Sequence, residues 1–201
     1  MNKEQFENYL QEKNKNHIIF DFDATLCTLL VDWNPWRKEM DDIFSELGLN
    51  VDRSSNFNYS EMLNRCVEKG GDAMRDRIME MNYNVEKNFS SGYDLSPLAM
   101  PLLELSKTNA DLYLWTSNDK RTIMPILEEL NWVKFFKKIV TRNDVRYIKP
   151  SADGFALIYD ENVPKSQYLL IGDSRSDSGA AQAAGIDFLN IDEFEEDKFI
   201  K

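Results

Sequence analysis

The chain has 201 residues, 42% of them hydrophobic, enough for one good core and a second small module, which excludes a disordered or fibrous protein. A formal net charge of -11, from 24 basic and 35 acidic side chains, repels polyanions, so no nucleic-acid partner is expected. A bound cation reverses such a field locally, and an acidic site can then still receive a phosphorylated small molecule.

The opening MNKEQFENYLQEKNKNH is polar and lacks the apolar stretch of a signal peptide, and no run approaches membrane-spanning length. A soluble, cytoplasmic protein with no membrane partner is the expectation. Ile18 to Phe20 then reads as a buried strand. The interval to the next such run is too long for a simple crossover, and about 65 residues from Leu29 onward read as a helical insert. Asn34-Pro35 is a helix start, followed on one face by Trp36, Met40, Ile43, Phe44 and Leu47, with Gly48 as a stop. Ser60 is read as the cap of a second helix. Asp72 is read as the cap of a third, with the stripe Met74, Ile78, Met81 and Val85. Four further apolar runs, Leu112 to Trp115, Ile139 to Val140, Tyr168 to Ile171 and Phe188 to Ile191, alternate with helical patterns. They predict a parallel, doubly wound α/β sheet with its functional loops at the strand C-terminal ends. The acidic stretch from Asp192 to Asp197 reads as a solvated end. Cys27 and Cys66 are too few for a disulfide scaffold and read as reduced thiols.

Two of the strand ends carry paired carboxylates. In Ile18-Ile19-Phe20-Asp21-Phe22-Asp23-Ala24-Thr25-Leu26, alternation points Asp21 and Asp23 the same way. One can then attack phosphorus while the other exchanges a proton with the leaving group; a polar strand end that caps a turn is the plainer reading. Leu169-Leu170-Ile171-Gly172-Asp173-Ser174-Arg175-Ser176-Asp177 repeats the pattern. Magnesium prefers oxygen ligands and takes one or two carboxylates with water and phosphate oxygen, which suits Asp21, Asp173 and Asp177. Asp177 reads equally well as an N-terminal helix cap. Thr116, after Leu112 to Trp115, and Lys149, before Pro150, offer donors to phosphate oxygens, although a Thr there often forms a turn and a lone Lys is usually surface.

In order, DFDATL, LYLWTSN, KP and GDSRSD resemble the four signature motifs of the haloacid dehalogenase-like phosphatases, and within them the phosphoglycolate phosphatase-like proteins. The resemblance covers most of the chain outside the insert. It implies a Rossmann-like three-layer sandwich around a central parallel sheet, formed by residues 1–27 and 96–201, and a first-class helical cap at 28–95. It implies Asp21 as nucleophile and Asp23 as general acid/base, the latter also giving its main-chain carbonyl to the metal. Thr116, Lys149 and the Ser117 backbone amide would bind the phosphoryl group, Asp173 would bind Mg2+, Asp177 would support that site, and Thr25 would order the first loop. Ala24 departs from the glycine the family most often has, a substitution that costs strain if the position needs positive φ.

The function this implies is Mg2+-dependent hydrolysis of a small phosphorylated metabolite through an aspartyl-phosphate. A phosphomutase or a non-catalytic phosphate-ligand binding protein are the alternatives. In the strand-to-cap stretch, Cys27, Trp33, Trp36 and Arg37 are candidates to face substrate, with the plainer readings stronger: Trp36 and Cys27 as packing and Arg37 as wet surface. Arg65, Arg75 and Arg77 are candidates for a second anionic group, with surface exposure as the default. His17 is assigned no part in catalysis.

Overall fold

The computed structural model describes residues 1–51 and 57–199. The polar start is a helix, α1 (Lys3–Glu12), closed by a capping box between Asn2 and Gln5 and burying Phe6 and Leu10. Two apolar residues one turn apart are too little periodicity to announce it. The chain continues through β1 (His17–Phe20) and β2 (Cys27–Val31) to α2 (Asn34–Glu46), which starts with Pro35 in its first turn. Then come α3 (Tyr59–Asn88), β3 (Ser90–Leu95), α4 (Ala99–Lys107), β4 (Asp111–Trp115), α5 (Lys120–Glu129) and β5 (Phe136–Val140). Last are α6 (Asp153–Ile158), β6 (Tyr168–Gly172), α7 (Arg175–Ala184) and β7 (Asp187–Asn190).

The five predicted runs form one parallel sheet in the order β5-β4-β1-β6-β7. Strand alternation divides the core into two layers. Ile18, Phe20, Leu112, Leu114, Leu169 and Ile171 face α1, α4 and α5, while Ile19, Tyr113, Trp115, Tyr168 and Leu170 face α6 and α7. Every one of these strand residues is at most 4% exposed, as a sheet covered on both faces requires. The chain leaves β1 for β4 and β5 on one side and returns to β6 and β7 on the other. The crevice at the C-terminal end of β1 is therefore a topological switch point.

The insert has its own apolar cluster. Trp36, Met40, Ile43 and Phe44 of α2 pack on Met62, Leu63, Cys66, Met74, Ile78, Met81 and Val85 of α3. Three expectations need correction. The second helix is capped by Asn58, whose side chain accepts from Ser60 N–H at 2.9 Å, so Ser60 is inside the helix. The second and third helices run on as α3 across a kink at Gly71, whose φ of 69° and ψ of -159° only glycine adopts readily. The insert is also not wholly helical, because β2 and β3 pair as an antiparallel ribbon at its base. At the other end, the acidic stretch is not simply solvated: Phe194 within it and Phe199 just beyond it bury against Phe6. Among the described residues, no helix is long and apolar enough to cross a membrane.

Candidate active site

Asp21 is the first residue past β1, Thr116 the first past β4 and Asp173 the first past β6. Parallel pairing in register brings these three strand ends to one edge of the sheet. Lys149 arrives from the loop between β5 and α6, on a cis peptide bond to Pro150. The residue is 2% exposed, and its ammonium donates to Asp21 Oδ1 at 2.6 Å, to the Trp115 carbonyl at 2.9 Å and to Asp177 Oδ1.

Asp177 is held from the helix side as well. Ser174 N–H donates to its Oδ2 at 3.1 Å and Ser174 Oγ at 2.5 Å, while Asp177 N–H donates back to Ser174 Oγ at 3.2 Å. The cap of α7 is thus Ser174, and Asp177 is the third-position member of its capping box. The capping and site readings of Asp177 are not exclusive, because one carboxylate oxygen serves each. Gly172 makes the close approach: a Cβ there would stand 2.6 Å from Asp177 Cγ.

Carboxylate oxygens of Asp21, Asp173 and Asp177 lie within 4.8 Å of one another. Burial, and then the charge of Asp177, push the Asp21 carboxyl well above its ordinary range against the pull of Lys149. The same two causes raise Asp173 to about 6. Burial works against the Lys149 ammonium, but Asp177 and Asp21 hold its pKa above the ordinary value. Three carboxylates against one ammonium leave two negative charges in excess when all are ionised. All-oxygen donors with that excess fit a hard dication.

The first loop turns sharply after Asp21. Leu26 and Cys27 N–H both donate to the Phe22 carbonyl at 3.0 Å, and Ala24 sits at φ 58°. The left-handed conformation that favours glycine is therefore present, occupied by alanine at a cost of about 1–2 kcal/mol. The Thr25 hydroxyl is buried without a partner among the described residues, so backbone hydrogen bonds order this turn. Asp23 is half-buried, and its Oδ1 accepts from Leu29 N–H at 2.8 Å. Burial raises its pKa, and the charge of Glu86 adds to that, against the hydrogen bonds from Leu29 and Ala24.

A cavity of about 360 Å³ opens over this cluster, within the size range of small-molecule sites. Asp21, Asp23, Ser117, Lys149, Asp173 and Asp177 line it. Thr116 does not: it is 2% exposed, and its hydroxyl donates to Asn118 Oδ1 at 2.6 Å. Asn118, which does line the cavity, passed unnoticed in the sequence. So did Glu86 of α3 and Arg142 after β5, whose buried ion pair at 2.5 Å forms part of the wall. Neither carries a motif; a polar residue beside a helical apolar stripe and a turn-like TRND give no signal.

Trp33, Trp36 and Arg37 also reach the cavity. Arg75 instead donates to the Val145 carbonyl, Arg77 pairs with Glu46 and Arg65 leans on Met62, and none of the three is on its wall. His17, at the far end of β1, stacks on Tyr168. Cys27 and Cys66 are buried free thiols.

The haloacid dehalogenase-like hydrolase family profile matches residues 18–191. A phosphoglycolate phosphatase from Pseudomonas fluorescens is 29% identical over 196 residues, 90% of this chain and 71% of that one. A probable phosphoglycolate phosphatase from Pseudomonas savastanoi is 37% identical over 83 residues, 41% of this chain and 52% of that one. In another Pseudomonas savastanoi phosphoglycolate phosphatase the matched region is 30% of the protein's length, so the chain spans about half or less of these two relatives. The solved structure of a predicted phosphoglycolate phosphatase from Haemophilus somnus superimposes with a TM-score of 0.57 at 19% identity, over 88% of this chain and 84% of that one.

Proposed function

We propose that this chain, which belongs to the haloacid dehalogenase-like hydrolase family, hydrolyses the phosphate monoester of a small metabolite through a phosphorylated Asp21. One observation carries the reading: Asp21, Lys149, Asp173 and Asp177 form a single charge cluster lining the cavity, with Asp23 lining it too. The protein surrounding it divides into a core of residues 1–27 and 96–201 and a cap of residues 28–95, with the cavity between α2, α3 and the sheet edge.

In the first step the Asp21 carboxylate attacks phosphorus, and Asp23 gives its proton to the departing oxygen. The raised pKa of Asp23 favours the protonated form that this step needs. In the second step Asp23 takes a proton from water, which attacks the aspartyl-phosphate and releases inorganic phosphate. Lys149 orients Asp21 and offsets charge on the transferring oxygens. Thr116 acts indirectly, by fixing Asn118 and the Ser117 backbone beside the phosphoryl position. Asp21, Asp173, Asp177 and the Asp23 carbonyl would hold Mg2+, which supplies further neutralisation of the phosphoryl group when bound.

The test is phosphate release from a panel of phosphorylated metabolites, with phosphoglycolate among them because relatives carry that name. Wild type with magnesium should release phosphate, and EDTA should stop it. Asp21→Asn should lower kcat by about 10⁴-fold or more while keeping the fold. Release that survives Asp21→Asn would rule out the covalent route.

A further inference from the structure

The cavity has a second wall that the chemistry above leaves unused. Trp33, immediately before α2, meets Trp36 edge-on at 5.9 Å and 82°, and Trp36 meets Tyr59 at 4.9 Å and 65°. All three rings line the same cavity as the aspartates. Trp36 is 7% exposed and fixed by its Nε1–H donating to Asn82, so it is a framework. Trp33 and Tyr59 are only half-buried, and apolar ring surface is left facing the space where a leaving group must lie.

Charge decides what kind of leaving group suits that space. Among the described residues the wall carries three cations, Arg37, Arg142 and Lys149. Lys149 is held by Asp21 and Asp177, and Arg142 by Glu86 at 2.5 Å and Asp119 at 3.6 Å. Arg37 is exposed on the wet side of α2, where water screens it. A second anionic group would therefore meet a wall that also carries Asp23 and Glu86, where carboxylates already match the charge of each buried cation, even though Arg142 Nε–H has no hydrogen-bond partner among the described residues. A two-carbon acid would also leave most of about 360 Å³ to water. A neutral planar ring avoids both penalties and covers the exposed aromatic surface.

We propose that Trp33, Trp36 and Tyr59 form a leaving-group subsite for a neutral aromatic ring, so that the substrate is a monophosphate ester of the mononucleotide kind. This rests on the hydrolase reading above. Stacking of a base on one aromatic side chain changes affinity by about tenfold.

The experiment compares kcat/KM for adenosine 5′-monophosphate, glycerol 2-phosphate and phosphoglycolate in wild type, Trp33→Leu and Arg37→Gln. Wild type should favour the nucleotide over glycerol phosphate by about tenfold or more, and Trp33→Leu should lower that ratio by about tenfold, mainly through KM. A folding defect lowers both substrates alike and leaves the ratio unchanged. The proposal is overturned if Trp33→Leu leaves the ratio of a well-folded enzyme unchanged. It is equally overturned if wild type prefers phosphoglycolate and Arg37→Gln removes that preference. Should no ester be hydrolysed, the hydrolase reading falls and titration calorimetry decides the subsite alone. Nucleotide binding about tenfold tighter than glycerol phosphate supports it, and equal or absent binding overturns it.

Discussion

Magnesium should stabilise the folded protein, and the size of the effect follows from the carboxylate cluster. Asp21, Asp173 and Asp177 with Lys149 carry two uncompensated negative charges when all are ionised, and a dication neutralises these in the folded state and not in the unfolded chain. Ligand held only by the native state stabilises by RT ln(1 + [L]/Kd), about 2.7 kcal/mol at a hundredfold excess over Kd. For a chain of 201 residues each kcal/mol moves Tm by about 2–4 °C, so scanning calorimetry should record a rise of about 5–11 °C. The rise should depend on pH in a definite direction. The Asp173 carboxyl titrates near 3.8 when unfolded and at about 6 in the fold, so at low pH it is protonated in both states and costs nothing. As pH climbs from about 3.8 to about 6 the unfolded chain ionises this group while the metal-free fold resists doing so, so the fold loses stability across that window, while magnesium needs the ionised form. The magnesium-induced increment should therefore grow from acid pH to beyond that value. Asp173→Asn should remove most of it. An unchanged Tm in tens of millimolar magnesium, or an equal rise in Asp173→Asn, would refute the assignment of the cluster as the cation site.

Other perturbations test the frame around the site. Arg142→Met leaves the Glu86 carboxylate, at 0% side-chain exposure, without its cation and with the Thr122 hydroxyl as its remaining donor among the described residues, and urea denaturation at neutral pH should show a loss of about 3–5 kcal/mol; under about 1 kcal/mol would mean that the pair contributes no more than a surface one. Gly172→Ala puts a methyl group 2.6 Å from Asp177 Cγ, and should cost about 1–3 kcal/mol of stability and about a hundredfold in turnover. Unchanged turnover there would show that the Asp177 position does not matter. Burial pushes the Cys27 thiol up to about 12 and the Cys66 thiol to about 11, so a thiol reagent at about pH 8 should label neither until the chain unfolds.

How much of this was legible depended on the range of the interaction. The five strands of the sheet were readable because four are short apolar runs and the fifth, FKKIV, ends in Ile139 and Val140, and DFDATL and GDSRSD placed carboxylates at two of their ends. The stripe Met74, Ile78, Met81 and Val85 was readable from helical spacing, and all four are buried. Helix α1 was missed because only Phe6 and Leu10 mark it, and the ribbon was missed because SSGYDL has no apolar alternation: β3 exists through its hydrogen bonds to β2. Thr116 was read by its position in the motif, but its hydroxyl is turned to Asn118.

The α/β sheet and the types of residue gathered at the C-terminal edge of its strands are legible along the chain, because period, length and strand-end position are local properties. Which charges meet was decided only by the tertiary structure. Lys149 reaches Asp21 across 128 positions and Arg142 reaches Glu86 across 56, and no local pattern encodes either pairing. The same folding step commits two of the cavity's cations to carboxylates and leaves Trp33 and Tyr59 half-buried on its wall, because burial and pairing depend on what packs alongside a residue.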